Sequence, residues 1–279
     1  MYMEDSPQVA KSSLSVPLAI VVAGALIAGA VFLSRGNTPS NSNTGNAPAT
    51  QQQNAQTAQT TVTDLAIKPI SDKDHLLGNP SAPLALVVYT DLECPYCKSF
   101  HATIRRVADS YGKNASVLIV YRNFPLVQLH SRAPQEAEAT ECVNELGGKQ
   151  MYWDYVDKIF ETTTSNNTLD PGQLPKLATD LGVRTAKFNA CLSSGTYTKK
   201  VQENYDEAVG AGGQGTPFSV FVSSKALSDQ VTNKVKGLMT SFNLPPDTFM
   251  FSTDKHRISM SGALPYNMVQ QVIDALLTN

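Results

Sequence analysis

Four residues, Cys94-Pro95-Tyr96-Cys97, constrain this chain more than any others because of what flanks them. Before them runs Leu84-Ala85-Leu86-Val87-Val88-Tyr89-Thr90, a short apolar stretch of the kind that forms a strand buried on both faces. After them Cys97, Phe100, Ile104, Val107 and Tyr111 recur at helical spacing, which predicts an amphipathic helix. Cys94 therefore falls where a strand ends and a helix begins. Free backbone N–H groups and the helix dipole favour a thiolate there over a thiol. Pro95 suits the first helical turn, where its missing N–H has no partner to lose. Two thiols in this setting can exchange electrons through a reversible disulfide.

Plainer readings of the pair are a zinc site and an inert structural disulfide. Zinc needs a second pair of ligands. His101, one turn beyond Cys97, offers one ligand, but Cys142 and Cys191 stand alone in the sequence, so no tetrahedral set is completed and no metal is expected. The redox reading ranks above both, and it needs no cofactor because the sulfurs themselves carry the electrons. His101 reads as an ordinary helix residue.

The first 63 of the 279 residues lack a globular pattern. Residues 1–15 read as a cytoplasmic segment. Val16 to Leu33 is an uncharged apolar run of 18 residues, near the lower limit for crossing a bilayer. Ala28-Gly29-Ala30 offers a signal-peptide cleavage site, but Val31, Phe32 and Leu33 prolong the run, so a retained transmembrane anchor is preferred. Residues 34–64 read as a flexible linker, since Gly36 to Thr63 carries no charge and no aromatic ring with which to build a core. Lys11 and Arg35 flank the run evenly, so charge does not orient it. The expected placement is single-pass in the cell membrane, with the catalytic domain outside the cytoplasm. A net charge of −2 gives no reason to invoke a nucleic-acid partner.

Residues 65–279 form one globular domain of mixed α/β class. Val117 to Tyr121 reads as a second buried strand. Helical periodicity then fills about 126–209: Pro134 to Leu146 stopped by Gly147-Gly148, Tyr152 to Phe160 with Trp153 in the core, a helix opened by Asp170-Pro171 and closed by Gly182, then Thr185 to Leu192 and Thr196 to Val209. Phe218 to Val222 and Ile258 to Met260 read as strands, with a helix at Val231 to Phe242 between them and another at Tyr266 to Leu277. The cysteine count is even, and Cys142 and Cys191, each on a predicted helix without a redox neighbour, are expected to form a structural disulfide.

Thr90-Asp91-Leu92-Glu93-Cys94-Pro95-Tyr96-Cys97-Lys98-Ser99-Phe100-His101, Ala133-Pro134-Gln135-Glu136-Ala137, Gly215-Thr216-Pro217 and Gly262-Ala263-Leu264-Pro265 together resemble the DsbA-like thiol:disulfide oxidoreductases of the thioredoxin superfamily, particularly membrane-anchored bacterial members. The resemblance runs from about Ile70 to Val222 and resumes at Ile258. It implies a thioredoxin-like fold with an inserted helical domain, a cis Pro217 facing the dithiol, and Thr216 presenting backbone groups to a bound peptide, with Pro95 and Tyr96 beside it. Relatives often carry a carboxylate six residues before the first cysteine; here that position is Val88. A proton acceptor must then come from Asp91, Glu93 or water. The stretch from Ser223 to Arg257 exceeds a simple connection and reads more as a loop excursion than as a determinant of partner choice.

The resemblance implies disulfide formation in reduced secreted or envelope proteins, with Cys94 as an exposed nucleophile, Cys97 as the resolving thiol, and a membrane redox partner that recharges the pair. An isomerase or reductase on the same fold is the nearest alternative, and a thiol-bearing binding or chaperone module without turnover is another. Pro-Tyr between the cysteines also occurs in glutaredoxins, but the helical block and the tethered N-terminus argue against that family.

Overall fold

The computed structural model describes residues 64–112 and 114–279. The expected anchor at 16–33 and the linker up to residue 63 lie outside them. Among the described residues no helix is long and apolar enough to cross a membrane. Even the longest, Ala133–Thr162, carries charged residues from Glu136 to Glu161. The expectation of a single-pass membrane protein with an extracytoplasmic domain is accordingly withdrawn.

The sheet is built around β2 (Leu84–Thr90), all of whose residues are buried. Side chains alternate across a strand. Leu84, Leu86 and Val88 enter one apolar cluster, while Ala85, Val87 and Tyr89 enter a second on the opposite face. This is why β2 reads as a continuous apolar run and not as an alternating one. β3 (Val117–Asn123) runs parallel beside it, pairing Val88 with Tyr121. Helix α1 (Pro95–Gly112) connects the two strands and buries Cys97, Phe100, Ile104, Val107 and Tyr111 against the first cluster.

Four elements form the helical block. In α2 (Ala133–Thr162) the helical path breaks at Gly148, with φ 81° and ψ −178°, so the Gly147-Gly148 stop is a kink and not a loop. Trp153 is buried and donates its indole N–H to the Leu76 carbonyl at 3.2 Å. Helix α3 (Gln173–Asp180) closes at Gly182, whose φ of 94° is readily reached only without a Cβ. Helices α4 (Thr185–Ser194) and α5 (Thr198–Gly210) follow.

The chain returns to the sheet as β4 (Phe218–Ser223), antiparallel to β2 and pairing Ser219 with Val88. The 223–257 stretch folds as helix α6 (Asp229–Ser241) and strand β5 (Phe249–Phe251). β6 (Arg257–Ser261) and helix α7 (Tyr266–Leu277) complete the domain. With the short N-terminal strand β1 (His75–Leu77), the sheet order is β1-β3-β2-β4-β6-β5. Sequence periodicity did not reveal β1 and β5, since three residues are too few to show alternation.

The second cluster's face carries a buried ionic network. Arg122 pairs with Asp74 at 2.8 Å and with Glu207, which also accepts from the Tyr89 hydroxyl at 2.5 Å. Buried charges of this kind persist only when paired and hydrogen-bonded.

Cys142 of α2 and Cys191 of α4 are joined, with Cα atoms 5.9 Å apart and 49 residues of separation. Closing a loop of that length restricts the unfolded chain. Replacing both cysteines by alanine is expected to lower stability by about 4 kcal/mol, read from denaturant unfolding with midpoint and m-value fitted separately, the m-value rising as the unfolded chain expands.

Candidate functional site: a buried dithiol under a proline loop

Cys94 caps α1. Its amide donates to the Asp91 carbonyl at 3.2 Å, and its own carbonyl accepts the first helical bond, from Lys98 at 3.0 Å. Pro95 follows in the first turn, and Tyr96 projects outward, 67% exposed. One turn places Cys97 on the inner face of the helix, within the first apolar cluster. Both cysteines are free thiols.

The sequence reading expects an exposed Cys94. In the structure the residue is only 4% exposed. The covering element is the loop before β4, where the Thr216–Pro217 bond is cis and the Cys94 thiol donates to the Thr216 carbonyl at 3.4 Å. The loop is itself held by the bond from Gly262 N to the Pro217 carbonyl at 3.0 Å. A contact across 122 residues of sequence is invisible to any local pattern.

The two sulfurs are driven in opposite directions. Cys94 is lowered from an ordinary 9.0 to about 6. The largest cause is hydrogen bonding from the Cys97 thiol, opposed by burial, then assisted by the Thr216 hydroxyl and the amides of Cys97 and Tyr96. Among the described residues Thr216 Oγ1 has no hydrogen-bond partner, so it is free to turn to a thiolate. The helix-terminal amides foreseen from sequence thus contribute, but less than the neighbouring thiol. Cys97 is raised well above the ordinary thiol value, first by burial and then by hydrogen bonding to Cys94 and the Cys94 charge.

Neither carboxylate proposed as a proton acceptor is free for that role. Asp91 Oδ1 accepts from Glu93 N at 2.8 Å, and Oδ2 accepts from Leu126 N at 2.7 Å and pairs with His130 Nδ1 at 2.9 Å. Burial, the largest influence on Asp91, raises it. What reaches Cys97 from this segment is the Asp91 amide, 3.4 Å from Sγ, and the Thr90 side chain. The Glu93 carboxylate accepts from the amides of Asn167 at 2.7 Å and Leu169 at 3.2 Å. His130 was not foreseen as part of this cluster. His101 is buried, bonded through Nδ1 to the Tyr121 hydroxyl at 2.9 Å and through Nε2 to Asp157 at 2.6 Å.

Beside the proline loop lies a cleft of about 240 Å³ lined by Gln214, Thr216, Pro217, Asp247, Met250 and Gly262, among others. Asp247 and Met250 belong to the 223–257 stretch, which is therefore a wall of the cleft and not a detached excursion. Cys142 and Cys191 lie on α2 and α4, apart from the residues that line this cleft.

The thioredoxin family model matches residues 71–238, so the chain belongs to the thioredoxin family. Among solved structures it is similar to Pseudomonas aeruginosa DsbA2, at 22% identity and a TM-score of 0.55, over 74% of this chain and 96% of that one. It is also similar to Wolbachia pipientis alpha-DsbA1, at 20% identity and a TM-score of 0.58, over 78% of this chain and 96% of that one. These likenesses give the fold: DsbA-like, a thioredoxin sheet with an inserted helical block. A curated relative, the Na(+)/H(+) antiporter NhaA 3 of Salinispora tropica, is 29% identical over 179 residues, covering 64% of this chain and 26% of the antiporter. The chain spans about a quarter of the length of the curated relatives it matches. That likeness is to a thioredoxin-like region and brings no membrane span to this chain.

If the Cys97 thiol is the main support of the Cys94 thiolate, removing it must show. In Cys97→Ala the Cys94 titration midpoint is expected to rise from about 6 toward the ordinary range, measured by alkylation rate against pH.

Proposed function

We propose that the protein is a thiol–disulfide oxidoreductase that donates disulfides to client proteins with reduced cysteines. The observation that carries this reading is the asymmetry of the dithiol: a thiolate-favouring Cys94 at the helix start and a buried Cys97 held as a thiol. In the donor direction a client thiolate attacks Cys94 Sγ of the enzyme disulfide. The S–S bond breaks and Cys97 leaves with the electron pair and takes up a proton. A second client thiolate then attacks the client sulfur of the mixed disulfide, and Cys94 leaves as a thiolate. Two electrons pass from the client dithiol to the enzyme, and a separate redox partner must remove them before the next cycle.

A leaving group of low pKa leaves fast, and whatever stabilises reduced Cys94 makes the disulfide more oxidising. This supports donation over reduction. Thr216 and Pro217 face the dithiol from one side, and Pro95 and Tyr96 present themselves beside it. We assign client contact to these four residues, with the cleft toward Asp247 and Met250 as its extension.

Equilibration of the purified protein with glutathione buffers tests the direction. The expected potential lies well above that of thioredoxin, roughly −270 mV. A value near −270 mV would make the protein a reductant instead.

A further inference from the structure

Glu93, the residue before Cys94, is fully buried, and so is Glu136 near the start of α2, at 2% exposure. The thiol mechanism uses neither. Glu93 is richly supplied with donors. Besides the amides of Asn167 and Leu169, its carboxylate accepts from the Thr163 hydroxyl at 3.4 Å, and its main-chain carbonyl accepts from Asn166 N at 2.8 Å. The segment it grips is unusual. Ser165, Asn166 and Asn167 are three consecutive non-glycine residues at φ 69°, 56° and 66°. Such a run persists only where its surroundings over-determine it.

Glu136 is the opposite case. Among the described residues no N–H or O–H donor reaches its Oε2. Its side chain meets the carboxylate of Glu93 instead. Two carboxyl groups in contact away from water cannot both ionise. Glu93 has its oxygens occupied as acceptors, so the proton belongs on Glu136.

We propose that Glu136 is a positioning residue for the dithiol: a neutral acid that donates to Glu93, and through Glu93 clamps the 163–169 loop to the residue before Cys94. The helical block is thereby keyed to the reactive turn. Other charged groups around the pair are Asp91, which adds repulsion, and Arg132, which opposes it while donating to the Leu169 carbonyl at 2.6 Å. His130 is held by Asp91, Tyr155 neighbours Glu136, and Lys98 of α1 donates to the Thr163 carbonyl at 2.5 Å. Burial and the Glu93 carboxylate together push Glu136 up to about 9.

The stored proton gives a signature that an inert core residue lacks. An unfolded chain releases the Glu136 proton near 4.5, whereas the folded protein keeps it to about 9. Between those values folding takes up one proton, so stability from this group falls as pH rises, by about tenfold in the folding equilibrium constant per unit. Glutamine has no proton to take up yet keeps a donor of the same shape.

The test compares the full-length protein with Glu136→Gln and Glu136→Leu. Folding equilibria are measured on the oxidised form, where Cys94 and Cys97 do not titrate. The folding constant of Glu136→Gln relative to wild type is expected to grow about tenfold per unit from about pH 5.5 to 8.5. A ratio independent of pH overturns the stored proton. On the reduced form, Cys94 in Glu136→Gln is expected to titrate as in wild type. In Glu136→Leu its midpoint is expected to rise by about one unit, a roughly tenfold loss of thiolate below the midpoint. A wild-type Cys94 titration in folded Glu136→Leu overturns the positioning role, and Glu136→Met supplies the same comparison should the leucine variant not fold. The inference rests on Cys94 being the attacking thiol. Its readouts are folding and thiol titration and not turnover, so its failure is distinguishable from failure of the proposed activity.

Discussion

A buried thiolate needs a donor, and here the principal one is the thiol of Cys97. Cys94 lies under the proline loop at 4% exposure, an environment that by itself favours the neutral form. Hydrogen bonding from Cys97 reverses that preference, and the Thr216 hydroxyl and the first amides of α1 add to it. The same burial keeps Cys97 protonated, so one apolar cluster accounts for both halves of the asymmetry. The geometry depends on two tight constructions. One is the Asp91 turn that brings β2 into α1; the other is the 216–217 loop that brings β4 back over it.

Much of this was legible in the sequence because it is local. The apolar run of β2, the helical spacing after Cys97 and the proline at the first turn all fall within one short stretch, and each element forms where its pattern stands. Gly148 and Gly182 mark breaks for the same reason, since their backbone angles suit a residue without Cβ. α7 spans Tyr266–Leu277 as its apolar spacing predicts.

What was not legible is what the chain brings together from afar. The cover over Cys94 comes from Thr216, and the anchor of Glu93 from Asn167 and Leu169, more than 70 residues away in each case. Arg122, hidden in an apolar strand pattern, proves to be the centre of a buried ionic network. Glu136 sat inside the Ala-rich segment that carried the resemblance, but nothing in its neighbours on the chain signals a facing carboxylate. The 223–257 stretch carried helix and turn signals, yet its place beside Pro217 follows from β5 pairing with β6 at the edge of the sheet.

The central claim is that the two sulfurs are unequal, with Cys94 alone meeting the client. Trapping tests it most directly: single variants Cys97→Ala and Cys94→Ala are mixed with a thiol-bearing polypeptide activated as a disulfide, and the adducts are mapped by mass spectrometry. The account predicts a stable mixed disulfide on Cys94 in the first variant and little or none on Cys97 in the second. Comparable adducts on both sulfurs would contradict it.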